Sequence, residues 1–329
     1  MKKTLFALLA IAALSPVAMG EKLTVTAGED YNLAVDSDRT AHLQFGSAAD
    51  AEGTYTVNVK ADHENKLWAI NRNGADGYSN TWVVGTAVLN FEDGSTMSYK
   101  GDASGDLYAN KTIIQAESGA TASLTSCMNL TSNITVLQVN DGGSLTLNGL
   151  NAKTAADTEM HISLGTGSTL TFGGRASLGV DNTSYAKSLT LEFGAGSLIS
   201  AAGQTISFGD TMKNAGSSIS ITAQLSDAEM EQVKNATYGT IIERTLITCG
   251  SIDHLHDCGG IVTGSVAQLS ALGMQSVGIV TDASLIAANQ YGFVKNGGTL
   301  KLYINTPEPA TATLSLLALA GLAARRRRH

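Results

Sequence analysis

Gly143-Ser144-Leu145-Thr146-Leu147 and Gly167-Ser168-Thr169-Leu170-Thr171-Phe172 carry the pattern that decides the fold. Each is a glycine followed by residues that alternate small-polar with apolar, the period of a strand with one buried face. The pattern recurs at Gly94-Ser95-Thr96-Met97-Ser98-Tyr99, Gly119-Ala120-Thr121-Ala122-Ser123-Leu124, Gly196-Ser197-Leu198-Ile199 and Gly216-Ser217-Ser218-Ile219-Ser220-Ile221, and Gly298-Thr299-Leu300-Lys301-Leu302 closes the series. From Gly94 to Gly167 the intervals are 25, 24 and 24 residues, loosening afterwards to 29 and 20. An interval fixed in the twenties points to a solenoid, in which each coil buries its apolar face against the next. The expected fold is therefore all-β, a right-handed parallel β-helix over 85–225. At ~4.8 Å per coil, five or six coils make a rod roughly 25–30 Å long. The competing architecture is a β-sandwich of antiparallel hairpins, which the same glycines would serve.

Proline usage supports many strands. The three prolines are Pro16, Pro307 and Pro309, so 290 consecutive residues contain none; average usage near 5% would give roughly 14. Proline cannot donate to a strand ladder and is expelled from central strands. In its repeats the body resembles the passenger regions of bacterial autotransporters, a likeness of pattern covering roughly residues 85–225.

The two ends read as address labels. Lys2 and Lys3, the apolar run Leu5 to Leu14, and Ala18-Met19-Gly20 have the layout of a signal peptide (1–20), with Glu21 opening the mature chain. At the other end stand Pro307-Glu308-Pro309, an uncharged run from Ala310 to Ala324, and Arg325, Arg326, Arg327 and Arg328 before His329. Fifteen residues at ~1.5 Å each reach roughly 22 Å, short of the ~30 Å hydrocarbon core, while arginines hold the cytoplasmic side. This three-part tail (307–329) resembles the PEP-CTERM sorting signal of exported bacterial proteins. The resemblance implies a transmembrane helix held only until an exosortase-type processing enzyme removes it. It also implies delivery across the inner membrane to the cell surface or extracellular matrix. An ordinary C-terminal anchor is the simpler alternative.

Lys2, Lys3 and the four arginines account for six of the 21 basic residues and none of the 29 acidic ones, leaving residues 21–309 with a net charge of −14. Such a surface repels phosphate backbones and excludes nucleic acid as a partner; a membrane is met only through the tail. Between the labels the chain divides into an N-terminal β region or cap (21–84), the solenoid (85–225) and a C-terminal β region (226–306). The first holds Trp68, Tyr78 and Trp82, aromatics suited to plug an open solenoid end or to stack against sugar rings. The last opens with Ser226-Asp227-Ala228-Glu229, a capping box that predicts a helix from Asp227 to Ala236 laid across the solenoid end. A strand run, Thr240 to Thr248, follows.

Reactive residues concentrate in Cys249-Gly250-Ser251-Ile252-Asp253-His254-Leu255-His256-Asp257-Cys258. Thiolate and imidazole suit zinc or copper, but this spacing matches no established zinc pattern. In an exported chain a disulfide between Cys249 and Cys258 is expected instead, closing a small loop for roughly 2–3 kcal/mol. Cys127 is then expected as a buried thiol, and His161 as a solvent-facing strand residue. Asp36 and Asp38 share a strand face and could hold calcium; Glu92 and Asp93, adjacent on a strand, point to opposite faces. No nucleophile elbow, metal-binding His-Glu-x-x-His or phosphate loop is visible. The reading is thus an adhesin-like, non-catalytic surface scaffold needing no cofactor or metal, with a glycan-binding module or a polysaccharide-degrading enzyme as alternatives.

Overall fold

The structure is a computed structural model. It describes residues 22–35, 41–45, 52–67, 69–70, 72–73, 79–80, 82–99, 106–178, 180–181, 184–208, 218–253, 255 and 261–307. The address labels 1–20 and 308–329 lie outside these residues.

The chain winds as a parallel β-solenoid of about five regular turns. Each turn presents three faces. The first is a ladder of nine strand segments, running from Asp30–Leu33 through Thr54–Val59, 86–91, 111–116, 134–139, 159–164, 188–193 and Ser218–Ala223 to Ile261–Ser265, each parallel to the next. The second face stacks Thr96–Tyr99, Thr121–Leu124, Ser144–Leu147, Thr169–Phe172 and 198–201. These are the glycine-led strands of the sequence pattern. The third face runs through 106–109, 128–132, 150–154 and Ala176–Leu178. In the first coils, Lys22–Val25, His42–Phe45 and Ala69–Ile70 form a separate parallel sheet.

Register explains the core. On the first face Leu89, Ile114, Leu137, Ile162, Leu191 and Ile221 stack one above another, none more than 1% exposed. Beside them runs Phe91, Ala116, Val139, Leu164, Phe193 and Ala223, where each phenylalanine neighbours an alanine that makes room for its ring. Identical placement in every coil turns one apolar residue per turn into a continuous column, each Leu or Ile worth roughly 1.5–3 kcal/mol when fully buried.

The corner after the first face is what the repeated glycines make. Gly94, Gly119, Gly142, Gly167 and Gly196 all lie in the left-handed region, with φ of 66–75°. In the third of these corners the left-handed residue is Gly142, so the register of the turn falls one residue before the Gly143 of the sequence pattern. Two other repeats are placed differently from the rest. Ser218–Ala223 belongs to the first face, and Thr299–Asn305 pairs antiparallel with both Ile241–Asp253 and Gln290–Asn296. The last glycine repeat is a hairpin, because Gly297-Gly298 reverses the chain instead of turning it into another coil.

The helix forms as its capping box requires. It spans Asp227–Asn235 (α1), and Glu229 N donates to Ser226 Oγ while Ser226 N and Oγ donate to Glu229 Oε2. Only Val233 is buried, with Met230 packed against the core from the side. The solenoid's end is therefore closed chiefly by the antiparallel strands, with α1 at its margin. Among the described residues no helix is long and apolar enough to cross a membrane.

Candidate functional site

A polar hollow of about 350 Å³ opens along the corner between the first and second faces. Its floor follows from register. The outward row Asn32, Asn58, Asn90, Gln115, Gln138, Ser163, Glu192 and Thr222 is in line from coil to coil. In the upper half, long amides zip the row shut. Asn58 Nδ2 donates to Asn32 Oδ1 (3.4 Å), Asn90 Nδ2 to Asn58 Oδ1 (3.0 Å) and Gln115 Nε2 to Asn90 Oδ1 (3.2 Å). Gln138 turns away, donating to Asn140 Oδ1 at 2.7 Å. Ser163 is too short to bridge Gln138 and Glu192, and the hollow opens there. Ser118, Asp141, Thr166 and Gln224 from the turns complete its wall.

The carboxylates near this corner are committed to the turns. Asp141 Oδ1 accepts from Thr166 N at 2.7 Å, and Asp93 Oδ1 accepts from Thr121 N at 2.9 Å. Each carboxylate satisfies an amide that the corner of the next coil would otherwise leave open. Glu92 is ion-paired with Lys60. The adjacent acids Glu92 and Asp93 are thus structural; contrary to expectation they lie not on a strand but in the turn that follows Trp82–Phe91. Glu192 stands exposed in the hollow. The site offers amides, hydroxyls and the carboxylates of Glu192 and Asp141 to a polyhydroxylated ligand, on a scaffold whose coil spacing of ~4.8 Å repeats along the groove.

The residues singled out in sequence scatter. Trp68, Tyr78, Asp36, Asp38, His254, His256, Cys258, Glu308, Pro309 and Arg325 to Arg328 lie outside the described residues. Trp82 opens the strand Trp82–Phe91, its backbone in register with Tyr108. Pro307 is the last described residue. His161 faces outward, its Nε2 3.1 Å from Glu159 Oε2. Among the described residues no group of three or more His, Cys, Asp or Glu is gathered where a metal could bind.

The expected disulfide is not made. Cys249 is a free, half-buried thiol that donates to Ser251 O (3.0 Å) and Gly298 O (3.3 Å). The strand continues past it to Asp253, with Cys249, Ser251, Ile252 and Asp253 in register with Ala201, Thr205, Ile206 and Ser207. Cys249 therefore ends a second-face rung and 251–253 form a third-face rung, so the segment is not the start of a closed loop. Burial pushes the Cys249 thiol up, opposed by backbone hydrogen bonds involving Ile206 and Ser251 and aided by the nearby charge of Asp253. Cys127, expected in the core, is exposed, because it sits in the bend before Met128 where the outward position falls to it.

The corner hollow was not picked out from the sequence. A short residue in a column of long polar ones is its signal, and that becomes readable only once register is known. No family model, curated protein or solved structure matches this chain.

Proposed function

We propose that this chain is an exported, non-catalytic scaffold of the cell surface or extracellular matrix, adhesin-like, delivered by its signal peptide and PEP-CTERM-type tail. An exosortase-type enzyme is the partner that the tail calls for. The observation that carries the reading is the use made of the acids. Along this corner Asp93 and Asp141 are held by turn amides, Glu92 by Lys60, and Glu117 accepts from Asn90 Nδ2. Acid–base cleavage of a glycosidic bond needs a second carboxyl group free to exchange protons beside the first. In the hollow the other carboxylate beside Glu192 is Asp141, whose Oδ1 is held by the amide of Thr166. What remains is a surface of hydroxyls and amides on a stacked frame.

The hollow itself favours glycan contact as a second reading. Its amides and hydroxyls, with the Glu192 carboxylate as an acceptor, can replace the water around a sugar's hydroxyl groups. On this reading the saccharide would sit at the corner, and its binding would not depend on Trp68, Tyr78 or Trp82. Purified protein incubated with immobilised polysaccharides is expected to be retained without releasing reducing ends. Retention should weaken when Ser163 is replaced by Gln, which extends the amide zip across the hollow. Release of reducing ends that disappears in Glu192→Gln would overturn the non-catalytic reading.

A further inference from the structure

Four large apolar side chains are prominently exposed among the described residues: Tyr238 (51%), Ile241 (44%), Leu272 (38%) and Leu285 (60%). Three of them surround the point where the body ends. Thr306, fully buried, is clamped into the turn that carries Tyr238. Its Oγ1 donates to Thr237 O (2.7 Å) and accepts from Thr240 N (3.0 Å), its N donates to Thr240 O (3.0 Å), and its O accepts from Gly239 N (3.2 Å). Asn305, one residue earlier, is the register partner of Ile241. Asn305 Nδ2 donates to Ile286 O, next to Leu285, and Asn305 O accepts from Asn289 N. The clamp leaves no slack. From Thr306 to Ala310, where the apolar run begins, the chain spans at most about 14 Å when fully extended.

We propose that this end of the solenoid seats on the lipid surface, with Tyr238, Ile241 and Leu285 in the interfacial layer, while the tail is inserted. The inference rests on the sorting-tail reading. The polar layer of one leaflet is only roughly 5–8 Å deep, so a tether of that length holds the end of the body against the bilayer. Tyrosine is at home at such an interface, its ring apolar and its hydroxyl wet. Elsewhere a solenoid end this apolar would invite association in solution. Here a membrane covers it until processing frees the rod.

The test uses the chain from Glu21 to His329, which keeps the body and the tail but not the apolar run Leu5 to Leu14, reconstituted into phosphatidylcholine vesicles with plain or brominated acyl chains. Tyr238→Trp adds a reporter, and unsubstituted protein supplies the Trp68 and Trp82 background. The expected result is that the added emission shifts to the blue on vesicles and is lost in brominated lipid. Adding Ile241→Ser and Leu285→Ser should restore emission while flotation with the vesicles persists. Flotation with undiminished added emission would overturn the seating and leave the tail reading intact. If Leu317→Arg with Leu319→Arg floats as well as the unaltered chain, the tail reading fails and the proposal with it. A blue shift that needs no vesicles but vanishes in that tail variant would show the tail itself covering this face, and would also overturn the seating.

Discussion

Arg244 stands on Ile241–Asp253, at the entry to the last coil. It is 8% exposed, and its guanidinium donates to the carbonyls of Gln224 and Gly194, with Ser197 O at 3.4 Å. Those carbonyls belong to the corner after the first face, and one side chain with fixed forked donors gathers them. Burial lowers its pKa while the charge of Glu229, 3.8 Å away on α1, opposes that shift. Replacing Arg244 by Met should cost about 3 kcal/mol in urea unfolding, because buried carbonyls are left without donors. Glu229→Gln, which keeps the capping geometry, should cost much less. Equal losses in the two variants would show that the ion pair, and not the carbonyl contacts, holds the corner. A second residue-scale expectation concerns pH. The folded-state pKa of Cys249 is raised, so its contribution to stability is complete below the unfolded thiol's pKa and is lost as pH climbs through the folded value. Alkylation of Cys249 should therefore lag behind that of the urea-unfolded chain at mildly alkaline pH; equal rates would contradict the burial.

At the scale of the element, the corner glycines separate two demands. Gly194 sits where a Cβ would come within 2.4 Å of the backbone of Gly165 in the coil above, whereas Gly167, at φ +66°, has nothing within 4 Å. Gly194→Ala must push coils apart and should destabilise more than Gly167→Ala, whose penalty is the left-handed conformation alone, roughly 1–2 kcal/mol. Thermal unfolding of both variants would check the order, and a reversed order would mean that the corner stacking is loose. These elements also show what a sequence can reveal. The second-face strands were legible because each pairs a corner glycine with strict alternation. The capping box of α1 was legible because its reciprocal bonds involve residues only three apart. The first-face strands were harder to read: Ile134-Thr135-Val136-Leu137-Gln138-Val139 is apolar on both sides, so its period is masked. Thr299–Asn305 looked like another coil because local alternation does not distinguish parallel from antiparallel pairing. The disulfide was misplaced for a similar reason, since sequence separation alone did not show that residues 249–253 were tied to Ala201 and Thr205–Ser207. The corner hollow depends on register across coils, which no single repeat contains.

For the whole molecule, stacking makes stability a near-sum of neighbouring interfaces, so position along the stack should govern how easily each rung opens. On the first face, 134–139 is flanked on both sides by full rungs, with Leu137 between Ile114 and Ile162. Among the described residues, Lys22–Val25 at the beginning pairs only with His42–Phe45. At the other end Gln275–Val280 pairs with Gln290–Asn296 across an irregular register, and none of its side chains is fully buried. Hydrogen exchange should accordingly be slowest from 111–116 to 188–193 and quicken toward both ends. Leu137→Ala, which leaves a cavity costing about 3 kcal/mol, should raise exchange in the adjoining rungs more than at either end. The Arg244 substitution predicts the opposite distribution, faster exchange in Ser218–Ala223 and 198–201 with the first coils unchanged. A uniform rise across the chain in both variants would mean that the solenoid opens all at once, and that Arg244 protects no particular rung.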